Sequence, residues 1–134
     1  SLLLELQAES GMALVLVSHD MGIIAETCDR VAVMYAGRIV ELAPTATLFD
    51  RPAHPYTQGL FRSIPRLDAG GGELPAIPGQ PPDLARPQVG CPFAERCAVA
   101  SAECRREPAW LRPIGPEHAT ACLFPERIGA LGAA

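Results

Sequence analysis

The chain of 134 residues contains no lysine; all eleven of its basic residues are arginine. Apart from Arg105–Arg106 these arginines stand singly, and aromatic residues make up only 5% of the sequence. A nucleic-acid surface needs a basic stripe interleaved with stacking rings, so that class is set aside. No apolar run approaches the length of a membrane span, and no secretory leader pattern opens the sequence. A cytosolic product is therefore expected. The five cysteines include no C-x2-C pair, so the usual zinc-finger knuckle is missing as well.

What is present divides in two. Hydrophobic residues reach 49% with a formal net charge of −4, enough for one modest core. Residues 1–64 hold three prolines and four glycines, whereas residues 65–134 hold eleven and eight. An element-rich part thus gives way to a loop-rich part near Pro65, and a domain boundary is expected there.

In the first part, "SLLLELQAES" reads as a helix whose Leu2, Leu3 and Leu6 share a face, broken by Gly11. A helix that buries leucines needs a partner surface. No initiator Met precedes it, and the sequence is expected to be the C-terminal part of a longer chain. "MALVLVS" is apolar without alternation, as in a strand buried on both faces of a parallel sheet. Asp20 is placed to cap a helix over "MGIIAETC". "RVAVMY" and "RIVEL" form a hairpin around Ala36–Gly37, with Gly37 supplying a positive φ. Short helices are expected over "TATLFD" and over "PYTQGLFRSI", with Pro55 in the first turn. Gly70–Gly72 reads as a flexible link, and "LPAIPGQPPDLARPQ" as an extended surface segment.

Polar groups at the C-terminal ends of parallel strands line the ligand crevice of open α/β sheets, and "LVLVSHDMG" puts Ser18, His19 and Asp20 at such an end. The bland alternative is a histidine that hydrogen-bonds in a turn. The longer stretch "ALVLVSHDMGIIAETCDRVAVMYAGRIVE" resembles the end of an ABC-transporter ATPase domain, from its switch-histidine strand through the closing hairpin. "HPYTQGL", "SIPRLD", "LPAIPGQPPDL" and "GCPF…RC" narrow the resemblance to the ATP-binding subunits of bacterial dipeptide/oligopeptide (and nickel) importers.

That resemblance implies an α/β fold. Residues 1–64 would be the C-terminal part of a P-loop ABC ATPase domain (parallel strand, helix, antiparallel hairpin). Residues 65–127 would form a small loop-rich, cysteine-containing domain, and residues 128–134 a tail. It implies His19 as the catalytic switch histidine, contacting the γ-phosphate of ATP bound with Mg2+ and the attacking water. Asp20 is read as a helix cap. The implied partners are a second ATPase subunit in a head-to-tail dimer, two membrane permease subunits and, indirectly, a substrate-binding protein. The implied place is the inner face of the cell membrane. The sequence departs from the family in lacking G-x-x-x-x-G-K-[ST], the signature LSGGQ, an acidic Walker B strand and the D-loop. These 134 residues alone are therefore expected to be inactive.

Cys91, Cys97, Cys104 and Cys122 are separated by five, six and seventeen residues. Disulfides would suit a small loop-rich unit but not a reducing compartment. Inert packing cysteines would need a regular core that this proline-rich segment does not offer. A metal centre closes long loops and replaces a missing core. Zinc prefers shorter spacings, while iron–sulfur clusters tolerate irregular ones, and Cys91–Pro92 has a weak parallel in ferredoxin runs. Members of the resembled family can carry a 4Fe–4S cluster in this region. The resemblance thus implies that cluster on the four cysteines, with zinc as the alternative. His118 is read as hydrogen-bonding near a ligand sulfur at most, His54 as a structural group at a helix start, and Cys28 as a packing residue. Trp110 and Leu111 are expected in a small hydrophobic cluster. A reading from another class, an independent cysteine-rich metal or redox module without a transport role, fits the tail alone.

Overall fold

The computed structural model describes residues 2–64 and 76–131. Helix α1 spans Leu2–Ser10 and closes where the Gly11 amide donates to the Gln7 carbonyl at 2.9 Å. Residues 12–18 then run without regular structure, which corrects the expected parallel strand. Val15 is 88% exposed and Val17 94%. A strand becomes one by sharing a hydrogen-bond ladder, and no described segment offers one here.

Asp20 caps helix α2 (Met21–Thr27) as its sequence position indicates, its Oδ1 accepting from the amides of Gly22 at 2.9 Å and Ile23 at 3.2 Å. The hairpin follows, β1 over Arg30–Tyr35 and β2 over Arg38–Pro44. Its turn residues Ala36 and Gly37 both have positive φ, 51° and 75°, so the left-handed conformation extends to the alanine. Val31, Val33 and Tyr35 point inward in strict alternation along β1. In β2 the pairing skips from Ile39 to Glu41, leaving Val40 as a bulge residue. Val40 and Glu41 are consequently buried side by side, which simple alternation would forbid.

Helices α3 (Thr45–Asp50) and α4 (Pro55–Arg62) appear where Thr45 and Pro55 start them. Further on come α5 (Ala102–Arg106), β3 (Arg112–Gly115) and β4 (His118–Thr120). One antiparallel sheet in the order β1-β2-β4-β3 spans both compositional halves, with β4 pairing to β2 at Glu41↔Thr120 and Leu42↔Ala119. The core joins Ile24, Val31, Val33, Tyr35, Val40, Ala43 and Leu48 to Phe93, with Cys28 packed against it as expected. The rings of Tyr35, Tyr56 and Phe93 meet at centroid distances of 4.6 to 5.5 Å.

Residues 76–90 are extended or turned without strand pairing, in keeping with their prolines. Arg96 holds this segment, donating to the carbonyls of Ile77 and Pro78 at 2.9 Å each and to the Tyr35 hydroxyl at 3.3 Å. The expected boundary at Pro65, the Gly70–Gly72 link and most of "SIPRLD" lie outside the described residues. Trp110 does not enter a hydrophobic cluster. It is 66% exposed, with the Arg38 guanidinium over its ring at 5.4 Å. Among the described residues no helix is long and apolar enough to cross a membrane.

Candidate functional site

Three groups of candidate residues occupy different places. His19 is exposed, at the end of the unpaired apolar segment and one residue before the Asp20 cap. The Ser18 hydroxyl accepts from the Asp20 amide at 3.0 Å, so the backbone on both sides of His19 is tied while its imidazole is free to meet a ligand. Asp20 caps α2 through its Oδ1.

The four tail cysteines gather from three stretches. All four carry free, half-buried thiols. Their charges would be felt mutually: Cys91 by Cys97 and Cys104, and Cys122 by the other three. Burial is the main force on them, raising the thiols of Cys91 and Cys97 and pushing Cys122 up to about 11. A second force opposes it. The backbone N–H two residues on (Phe93, Val99 and Phe124) hydrogen-bonds the sulfur of Cys91, Cys97 and Cys122 respectively and favours the thiolate. The Cys91 amide donates to the Cys104 carbonyl at 2.7 Å, fixing two of the segments together. Gly90 makes that approach possible: its φ is +78°, and a Cβ there would lie 2.5 Å from the Cys104 carbonyl oxygen.

No group of three or more His, Cys, Asp or Glu among the described residues is arranged to hold a metal ion. Four sulfurs around one zinc stand only about 3.8 Å apart, given bonds of about 2.3 Å. A four-iron cluster places each thiolate on a different iron at the corner of a cube, which spreads the sulfurs wider.

The third group was not legible as a site. Glu41 is fully buried, and its carboxylate collects three donors. Oε1 accepts from the Ala53 amide at 2.6 Å and from His118 Nε2 at 2.8 Å, and Oε2 accepts from the His54 amide at 3.0 Å. His118 thus serves a carboxylate on β2, which corrects its expected place beside a ligand sulfur. His54 is 1% exposed, and its Nδ1 accepts from the Tyr56 amide at 3.1 Å, capping α4. Burial lowers its pKa to about 4, so the ring is neutral near pH 7.

Residues 40–104 match the family model for the C-terminal region of oligopeptide/dipeptide transporters. Over 122 residues the chain is 50% identical to the "Probable peptide ABC transporter ATP-binding protein y4tR" of Sinorhizobium fredii, covering 90% of this chain and 36% of that protein. The family-model match takes in just under half of the chain, and the similarity to peptide-transport ATP-binding proteins extends over most of it. It is also 48% identical to the dipeptide transport ATP-binding protein DppD of Bacillus subtilis, over 76% of this chain and 30% of that protein. With the oligopeptide transport ATP-binding protein OppD of Salmonella typhimurium it shares 43% identity, over 93% of this chain and 37% of that protein. The chain spans about a third of the length of these curated relatives. His54 and three of the four tail cysteines fall within the span matched by the family model, whereas His19 and Cys122 lie outside it.

Proposed function

We propose that the complete protein is the ATP-hydrolysing subunit of an ABC importer for dipeptides or oligopeptides, and that residues 1–134 are its C-terminal part. The observation that carries this reading is the free imidazole of His19 between the tied residues Ser18 and Asp20, in a chain whose relatives are named as peptide-transport ATP-binding proteins. ATP bound with Mg2+ supplies the phosphoryl group that passes to water. His19 holds the γ-phosphate and the attacking water in line through one ring nitrogen. The lysine and glycine-rich loop that cradle phosphates are missing from this sequence, so these residues alone bind ATP weakly and do not turn it over. Residues 1–64 belong to the ATPase domain and residues 65–127 to the appended cysteine-bearing region. The subunit works from the cytoplasmic face of the membrane. It pairs head-to-tail with a second ATPase subunit and docks on two permeases, downstream of a substrate-binding protein.

In the complete subunit, His19→Ala leaves nucleotide binding nearly intact and lowers turnover by about 10²-fold or more, the scale of one lost transition-state contact. Steady-state ATPase assays beside nucleotide titrations decide it. Near-normal turnover would reduce His19 to a turn residue.

A second reading concerns the tail. Cys91, Cys97, Cys104 and Cys122 would be the residues to hold a 4Fe–4S cluster, a reading supported by four free, half-buried thiols in one loop-rich region. Its role is to tie loops that share little regular structure. Protein purified without oxygen then contains about four irons and four acid-labile sulfides per chain. One zinc without sulfide would replace the cluster by a zinc site, and no metal would remove both.

A further inference from the structure

The direction in which His19 presents its imidazole depends on its two backbone torsions and on the rotamer of its side chain. The peptide unit that leaves His19 carries the Asp20 N–H, so whatever holds that N–H holds ψ of His19. The Ser18 hydroxyl does so, accepting at 3.0 Å from the amide two residues further on, the pattern of a serine turn. Beyond this point the chain is tied to the core. The Asp20 carboxylate accepts from the amides of Gly22 and Ile23, and the Asp20 carbonyl accepts from the Ile24 amide at 3.1 Å. Ile24 is a member of the buried core. Gly22 leaves room for the cap, because a Cβ there would stand 3.2 Å from Asp20 Oδ1. A run of short bonds thus leads from the core to the peptide that follows His19, and Ser18 closes it on the other side.

We propose that Ser18 is a positioning residue for His19: by holding the Asp20 amide it fixes ψ of His19, and with it the line along which the imidazole meets the γ-phosphate and the attacking water. This rests on the ATPase reading of His19 given above. In this role the hydroxyl acts only through the His19 backbone. Phosphoryl transfer to water gains its rate mostly from position, so a loosened histidine lowers turnover. Nucleotide affinity comes mainly from the phosphate cradle and is left unchanged.

The test uses the complete subunit, with kcat, the KM for MgATP and nucleotide affinity measured for Ser18→Ala, Ser18→Thr, His19→Ala and the double variant. Ser18→Ala is expected to lower kcat about 3- to 10-fold, the scale of one net hydrogen bond, with KM and affinity unchanged. Ser18→Thr keeps the hydroxyl and is expected to restore kcat. In the His19→Ala background, Ser18→Ala is expected to slow single-turnover hydrolysis no further, since no imidazole is left to position. An unaltered kcat in Ser18→Ala, a Thr variant as impaired as the Ala one, or a further fall in the double variant would each overturn the inference and leave His19 catalytic. Near-normal turnover in His19→Ala would remove the ATPase reading and this inference with it. If Ser18→Ala is not recovered folded, Ser18→Cys takes its place, a weaker acceptor of similar shape, with the same fall in kcat expected and an unaltered kcat again overturning the proposal.

Discussion

Two apolar stretches of similar composition, "MALVLVS" and "RVAVMY", meet opposite fates in this molecule. In the second, Val31, Val33 and Tyr35 are each at most 8% exposed. In the first, Val15 and Val17 are almost fully exposed. Side-chain preference for strand is similar in both, so intrinsic propensity does not decide the outcome. The difference is supply of partners. β1 pairs with β2 across a tight turn, and β2 gains β4 from the tail, whereas residues 12–18 find no ladder among the described residues. On the function proposed above, the rest of a parallel sheet completes them.

The sharpest way to break that comparison is to place a charge in each stretch. In residues 1–134, Val33→Asp buries an unpaired carboxylate and is expected to cost about 4 kcal/mol, enough to unfold a marginal domain. Val17→Asp in the same chain is expected to stay within about 0.5 kcal/mol, since it remains in water. In the complete subunit the two substitutions should become comparably damaging, because residue 17 is then buried. Urea unfolding of the short chain and soluble yield of the complete one measure this. A large effect of Val17→Asp in the short chain would mean that the segment already has a partner there.

A smaller effect is expected at Glu41, where the packed half is joined to the tail. Glu41→Gln preserves shape but not hydrogen bonding. Both carboxylate oxygens accept from N–H groups, and an amide must turn its own NH2 toward one of them. The variant is expected to lose about 2–3 kcal/mol, the scale of leaving a buried donor unmatched beside a charged-group hydrogen bond. Thermal unfolding followed at both Tyr fluorescence and Trp110 fluorescence should show the two regions melting together in the unaltered chain. Separate transitions in Glu41→Gln would mark this carboxylate as the joint.

These cases show what the sequence made legible. The Asp20 cap, the hairpin, the helix opened by Pro55 and the packing of Cys28 each depend on residues close in sequence, and each was readable. The Glu41–His118 contact spans 77 residues, and a glutamate in a hairpin strand ordinarily marks the solvent face. Only the Val40 bulge turns it inward, and nothing in "RIVEL" announces a bulge. The four cysteines stand out in the sequence by their place in a loop-rich tail, whereas the burial that raises three of their thiols depends on packing across the chain. The error at residues 12–18 has a different origin. The pattern is that of a buried strand, but burial belongs to the neighbours, and no described segment pairs with residues 12–18.

The smallest effect separates exposed apolar residues that lack a partner from those that have one on the surface. Trp110 is two-thirds exposed, yet the Arg38 guanidinium stands 5.4 Å above its ring. An exposed cation–π contact is worth about 0.5–1 kcal/mol. Trp110→Ala is therefore expected to cost about that much in residues 1–134, and Arg38→Gln a similar amount. Because both remove the same contact, the double variant should cost less than the sum of the two. The decisive comparison is with the complete subunit. Trp110 sits beside β2 and takes its partner from this chain, so its effect should not grow there, whereas that of Val17→Asp should. A Trp110→Ala cost that rises several-fold in the complete subunit would place Trp110, like Val17, among residues waiting for a surface that the short chain does not provide.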